Sequence, residues 1–315
     1  MDTETLGSQT PTTDLGGLYH RSVQWWARQA SAVSDDQWDL PTPCTEWSVR
    51  DLVNHVVGED LRTSPLMRGH TIADVGSRLD GDLLGDDPRA TAASAATEAQ
   101  GIVDETLHTH GKVQLSYGEE SMDEYVRQLL ADHLVHGWDL AVATGLERTL
   151  DPELVGSVAD WFDATEEAYR SGGAIAARAE LTGDPQADLL ARFGRDATWG
   201  PNHAGFVRFT AAFGRGDVDA IMACMTDDCV FEATGPAPDG QRHEGAAAVR
   251  AVWQQLFDTT PDPRFTAEES FVTGNRAVLR WRFDWGGDDP GHVRGIDAVR
   301  LRDGKVCEKL SYVKG

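Results

Sequence analysis

The sequence predicts a multidomain chain of mixed class, an α-helical bundle followed by an α+β domain with a curved antiparallel sheet. Three observations carry this. From about residue 15 to 195 the apolar residues recur at helical spacing; "FGRDATWGPN" (193–202) interrupts that pattern with two glycines and a proline; beyond it strand-like alternation takes over. The domains are expected at 15–195 and 203–315, with a linker over 196–202 and a disordered tail over 1–14.

The first domain reads as helices over Leu15–Ser34, Val49–Leu61, Pro88–Leu107, Met122–Thr144 and Pro152–Arg170, with a shorter one over Gln186–Phe193. Ser48 with Asp51, and Ser121 with Glu124, have capping-box spacing, and Gly145 stands where a helix would end. Helices of this length joined by loops imply a bundle. In the second domain, helices are expected over His203–Gly214, Val218–Met225 and "GAAAVRAVWQQLF". The segments "RFTAEESFV", "RAVLRWRFDWG", "HVRGIDAVRLRDG" and "KVCEKLSYV" read as strands. Helices first and antiparallel strands after suggest a cone around a pocket.

The formal net charge of −24 over 315 residues would repel phosphate backbones and anionic lipid, so neither nucleic acid nor membrane is an expected partner. A small-molecule role fits better. Positive charge is carried almost wholly by arginine, and Ala, Asp and Gly abound, a bias of GC-rich bacterial coding sequences. No segment approaches the ~20 apolar residues of a membrane span and no leader is visible, which favours the cytoplasm. Cys44, Cys224, Cys229 and Cys307 lack metal-knuckle or redox spacing and read as small buried residues.

Within "ADHLVHGWDLAVATG" (131–145), Asp132, His136 and Asp139 fall on one helical stripe among apolar neighbours. Asp132 and His136, one turn apart, could share one ligand, and His55 in "TPCTEWSVRDLVNHVVGED" could supply a third donor. The same spacing equally suits a hydrogen-bonded structural pair, and Asp51 with His55 repeats it. Asp139 reads either as a group orienting a ligand or as a carboxylate paired within the bundle. His133 lies to the side and reads as a bystander.

"TPCTEWSVRDLVNHVV", "HLVHGWDLAVATG" and "LLARFGRDATW", in this order, resemble the signature stretches of the mycothiol-dependent maleylpyruvate isomerase family, among the DinB-like four-helix bundles. The resemblance covers about residues 15–200. It implies a divalent metal, usually zinc, held by His55, Asp132 and His136, where the family's better-known members have Glu at the position of Asp132. It also implies chemistry on a low-molecular-weight thiol as cosubstrate: isomerisation through a thiol adduct, or thiol transfer to a small electrophile. Two imidazoles and one carboxylate leave positions open for a water or substrate atom. The family's isomerase carries a different C-terminal domain, so its substrate does not carry over.

In "HVRGIDAVRLRDG" alternation sends Val293, Gly295, Asp297, Val299 and Leu301 to one face, so Asp297 sits alone on an apolar face. Leu279, Trp281, Phe283 and Trp285 supply an aromatic wall beside it. Such surroundings favour the neutral acid and suit a proton donor or general acid/base; an Asp bonded to a buried hydroxyl, Trp or backbone group is the other reading. "FVRFTAAFGRGDVDAIMACMTDDCVFEATG", "HEGAAAVRAVW" and "VRGIDAVRLRDGKVCEKLSYVKG" resemble the SnoaL-like group of the nuclear-transport-factor-2-like superfamily. The resemblance places Asp297 at the oxyanion-stabilising acid of ketosteroid isomerases. Phe209 stands where their tyrosine would be and Ala233 where their general base would be, so their full mechanism is not expected. Glu232, Tyr312 and His243 are weaker candidates. The superfamily's habit of pairing through the open sheet face implies a homodimer.

The expectation is therefore a metal-dependent isomerase or thiol transferase whose SnoaL-like domain holds a small substrate. The alternatives are a cyclase, isomerase or hydrolase working through Asp297 with a structural bundle, and a non-catalytic small-molecule-binding protein.

Overall fold

The computed structural model describes residues 14–45, 47–172, 175 and 177–314; most of the tail expected over 1–14 lies outside these. The chain divides into two compact units, one of residues 1–39 and 46–197 and the other of residues 40–45 and 198–315.

In the first unit four helices form a closed ring: α1 (Leu15–Ala32) packs on α5 (Met122–Thr144), α5 on α2 (Val49–Met67), α2 on α4 (Pro88–Thr106), and α4 back on α1. The short α3 (Ile72–Val75) follows α2, while α6 (Pro152–Ser171) lies against α5 and α1 and carries α7 (Pro185–Arg192). Helix α5 is the axis of the unit: 17 of its 23 residues are buried, so it meets neighbours on nearly every side. Gly137 makes this possible, since a Cβ there would stand 2.3 Å from the Trp25 indole nitrogen on α1. Tyr19, Trp26, Leu52, Leu134 and Trp138 fill the interior.

The starts of α2 and α5 use the expected serines. Ser48 accepts from the Asp51 amide while Asp51 reaches back to the Ser48 amide, a complete capping box. Asp51 is thereby committed to the cap and forms no pair with His55. Ser121 accepts from the Glu124 amide, but the Glu124 carboxylate accepts from the Trp161 indole at 3.0 Å on α6, so only half a box forms. Gly145 ends α5 in the left-handed conformation at φ 76°. Helix α2 runs past its expected end at Leu61, through Pro65 to Met67. A hairpin of β1 (Lys112–Leu115) and β2 (Gly118–Ser121) precedes α5.

In the second unit α8 (Pro201–Arg215), α9 (Val218–Ala223) and α10 (Ala246–Thr259) accompany six strands: β3 (Met225–Glu232), β4 (Arg242–Glu244), β5 (Arg264–Thr273), β6 (Arg276–Trp285), β7 (Gly291–Arg302) and β8 (Lys305–Val313). Their order is β4-β3-β8-β7-β6-β5, with β3 and β8 parallel and every other pair antiparallel. The alternation expected of β6 and β7 is present: Leu279, Trp281, Asp297, Val299 and Leu301 are buried, while Arg280, Arg294 and Arg300 are exposed. Phe206, Phe209, Phe213 and Trp253 from the helices cover that face. Of the four cysteines Cys229 is buried, as expected, while Cys44, Cys224 and Cys307 are half-buried.

Candidate metal centre

Helices α2 and α5 bring His55, Asp132 and His136 together, each offering one donor atom within 4.8 Å of the others. Asp132 Oδ1 lies 3.3 Å from His136 Nε2 and 3.7 Å from His55 Nε2, and the two imidazoles meet edge to face at 5.1 Å. Donors held about 2.1 Å from a tetrahedral ion lie about 3.4 Å apart, so this spacing already suits one. The other oxygen of Asp132 is buried with no hydrogen-bond partner. A cation shared with the imidazoles would compensate it, which makes the residues a fit for a divalent metal. Burial opposes ionisation of Asp132, but the charges and hydrogen bonds of His136 and His55 outweigh it and hold the carboxyl well below its usual range.

The orientation of His136 is fixed from behind. Its Nδ1 lies 3.0 Å from Asp139 Oδ2, so Nδ1–H donates there and Nε2 is left to face Asp132. Asp139, fully buried, is in turn gripped by Arg195, whose Nη2 donates to Oδ2 at 2.8 Å and whose Nε donates to Oδ1 at 3.2 Å. Burial raises the Asp139 carboxyl, yet Arg195 and His136 overcome this and bring it down to about 2. The resulting chain runs Arg195–Asp139–His136–Asp132. Arg195 belongs to the "LLARFGRDATW" stretch, and its role was not assigned from sequence.

On the open side, the Trp47 ring lies 4.9 Å from His55 and 6.0 Å from His136. The His55 side chain is 31% exposed against 11% for His136, so access is from the His55 side. Glu59, one turn beyond His55, pairs with Arg62; burial and Asp132 raise its carboxyl against the pull of Arg62 and His55. Neither Trp47 nor Glu59 was singled out by spacing. His133, expected as a bystander, is fully buried and bonded to Asp60.

Asp297 is buried on the apolar face as expected, but it is not alone there. Its cross-strand neighbour Ser311 donates to Oδ1 at 2.7 Å, and Lys309 Nζ lies 2.9 Å from Oδ2. Lys309, itself buried, also donates to Ser311 Oγ at 2.6 Å and lies over the rings of Phe231 and Phe213 at 5.0 and 5.5 Å. The bond from the Ser311 hydroxyl is the arrangement of the other reading, an Asp bonded to a buried hydroxyl. Of the weaker candidates, His243 stacks on Phe231, Tyr312 is exposed, and Glu232 lies 3.8 Å from Arg242.

Residues 19–141 match the mycothiol maleylpyruvate isomerase N-terminal domain, and residues 206–309 match the SnoaL-like domain. The chain is 32% identical over 141 residues to uncharacterized proteins of Mycobacterium tuberculosis strains CDC 1551 and H37Rv, an alignment spanning 43% of this chain and 70% of each relative. Among solved structures, an NTF2-like protein of unknown function from Mesorhizobium loti is 39% identical, with 36% of this chain and 92% of that one covered at a TM-score of 0.33. A putative polyketide cyclase from Sinorhizobium meliloti is 20% identical, covering 34% of this chain and 92% of its own at a TM-score of 0.28. The chain thus belongs to the mycothiol maleylpyruvate isomerase N-terminal domain family, a metal-binding DinB-like family, and carries a SnoaL-like domain after it. Among the described residues, no helix is long and apolar enough to cross a membrane.

Proposed function

We propose that this protein is a metal-dependent enzyme, an isomerase or thiol transferase, acting on a small electrophilic organic molecule with a low-molecular-weight thiol as cosubstrate. The observation that carries the reading is the convergence of the His55 and His136 imidazoles on Asp132 Oδ1, with the other Asp132 oxygen buried and partnerless and with Arg195 and Asp139 fixing His136 from behind. These three side chains would hold the ion, zinc by family preference. Bound zinc lowers the pKa of a coordinated thiol or water and so supplies a nucleophile near neutral pH. Two imidazoles and one carboxylate leave room for that ligand. Trp47 offers a flat apolar wall beside both imidazoles against which a planar substrate could rest.

The SnoaL-like unit is assigned a binding role rather than a catalytic one, because Asp297 is committed to Lys309 and Ser311. Its outer sheet face exposes Phe271, Ile296 and Tyr312, and we assign this face to a homodimer contact. Net charge argues against nucleic acid and membrane as partners. The test is turnover of a small activated alkene or quinone with a low-molecular-weight thiol, measured on zinc-loaded protein, on chelator-treated protein and on His136→Ala. Turnover that needs thiol, metal and His136 together supports the reading. Zinc-loaded protein inert with every thiol tried, or activity untouched by chelation, would overturn it.

A further inference from the structure

The bundle contains a second buried polar pair that the donor set does not use. Asp60 on α2 and His133 on α5 are both fully buried, and His133 Nε2 lies 3.0 Å from Asp60 Oδ1. The other ring nitrogen, Nδ1, donates to the Leu129 carbonyl at 2.7 Å, so both ends of the imidazole are pinned. Tyr19 on α1 meets the same ring edge to face at 5.8 Å. Position matters here. His133 immediately follows Asp132, and Asp60 stands five residues after His55 on the same helix. The pair therefore joins the two helices that carry the donors, next to where they carry them.

Stability is a poor explanation for such a pair. Removing a charged or strongly polar pair from water costs several kcal/mol per ion, and well-packed apolar residues of similar volume do as well or better. One Asp60 oxygen even remains buried without a hydrogen-bond partner. What a pinned pair supplies and an apolar contact does not is register, since apolar side chains slide while a two-ended hydrogen bond has one geometry. His55 comes from α2, Asp132 and His136 from α5, and their spacing holds only if the two helices keep one relative position.

We infer that Asp60 and His133 are positioning residues for the metal centre: they lock α2 to α5 so that His55 meets Asp132 and His136. The inference rests on the metal reading above. It is tested on the full chain with cobalt(II) as probe, reading affinity by titration and ligand geometry from the visible cobalt absorption, beside unfolding midpoints without metal. Asp60→Ala is expected to weaken cobalt binding by about 10- to 100-fold and to alter the absorption band. Asp60→Asn is expected to stay within about tenfold of wild type, because neutral His133 can donate from Nδ1 to Leu129 and accept the Asn amide at Nε2. If Asp60→Ala does not fold, His133→Gln takes its place, since the shorter amide cannot reach Leu129 and Asp60 together. A variant that loses stability but binds cobalt with wild-type affinity and spectrum makes the pair merely structural and overturns the inference. Wild-type protein that takes up no cobalt removes the metal reading and this inference with it.

Discussion

Replacing Lys309 by Met should be among the most damaging single changes in the second unit. Asp297 is fully buried and Lys309 is 4% exposed, so neither charge is well solvated. At 2.9 Å their attraction is about 6 kcal/mol for an effective dielectric constant near 20. Met fills the volume of the lysine stem but takes away the ammonium group beside Asp297 Oδ2, leaving the buried carboxylate with the Ser311 hydrogen bond alone. Breaking a buried pair in this way costs about 3–5 kcal/mol. For a urea slope near 2 kcal/mol per molar, the tryptophan-fluorescence transition of this unit should move down by about 2 M. Lys309→Met combined with Asp297→Asn removes both charges together and should recover most of the loss. A midpoint shift under about 0.5 M for Lys309→Met would refute the reasoning. So would a double variant no more stable than the single one.

Gly137→Ala should destabilise the bundle by about 1–3 kcal/mol in thermal unfolding, because its Cβ would meet the Trp25 indole; a neutral result would mean that α1 yields freely. Arg195→Ala, which leaves Asp139 buried without its main counter-charge, should cost about 3–5 kcal/mol by denaturant titration. In metal-free protein, Asp139 contributes about 2 kcal/mol above its unfolded value near pH 4, and this is lost as pH falls towards its folded value of about 2. Asp139→Asn should therefore flatten the stability curve over that acid window, and an unchanged slope would assign the acid sensitivity elsewhere. Ile296→Arg with Tyr312→Glu should convert a dimer to monomer in sedimentation, with secondary structure retained.

The bundle was legible because its signals are local. Ser48, Ser121 and Gly145 mark helix ends that depend only on neighbouring backbone, and α5 runs over the residues its periodicity indicated. The hairpin at Lys112–Ser121 is not legible because each strand is only four residues long and the second, GEES, has no apolar alternation. The donor residues His55, Asp132 and His136 could be named because spacing on one helix and resemblance agreed. Arg195, 56 residues from Asp139, could not, since nothing in the sequence says which carboxylate a distant arginine grips. The partners of Asp297 are not legible for a similar reason. Strand alternation placed it on the apolar face, but the register that brings Ser311 opposite it, and Lys309 two pairs along on the same face, appears only once β7 and β8 are paired. His133 shows the limit of a helical wheel, which reveals the neighbours of a side chain on its own helix and not the Asp60 waiting on another.

The most direct test of the metal centre is the metal content of the purified full-length protein, by elemental mass spectrometry, beside His55→Ala and His136→Ala variants shown by circular dichroism to be folded. The account predicts about one divalent ion per wild-type chain and its loss in both variants. A wild type that stays empty after incubation with zinc, iron, manganese and nickel would contradict it, as would variants that keep the full complement of metal.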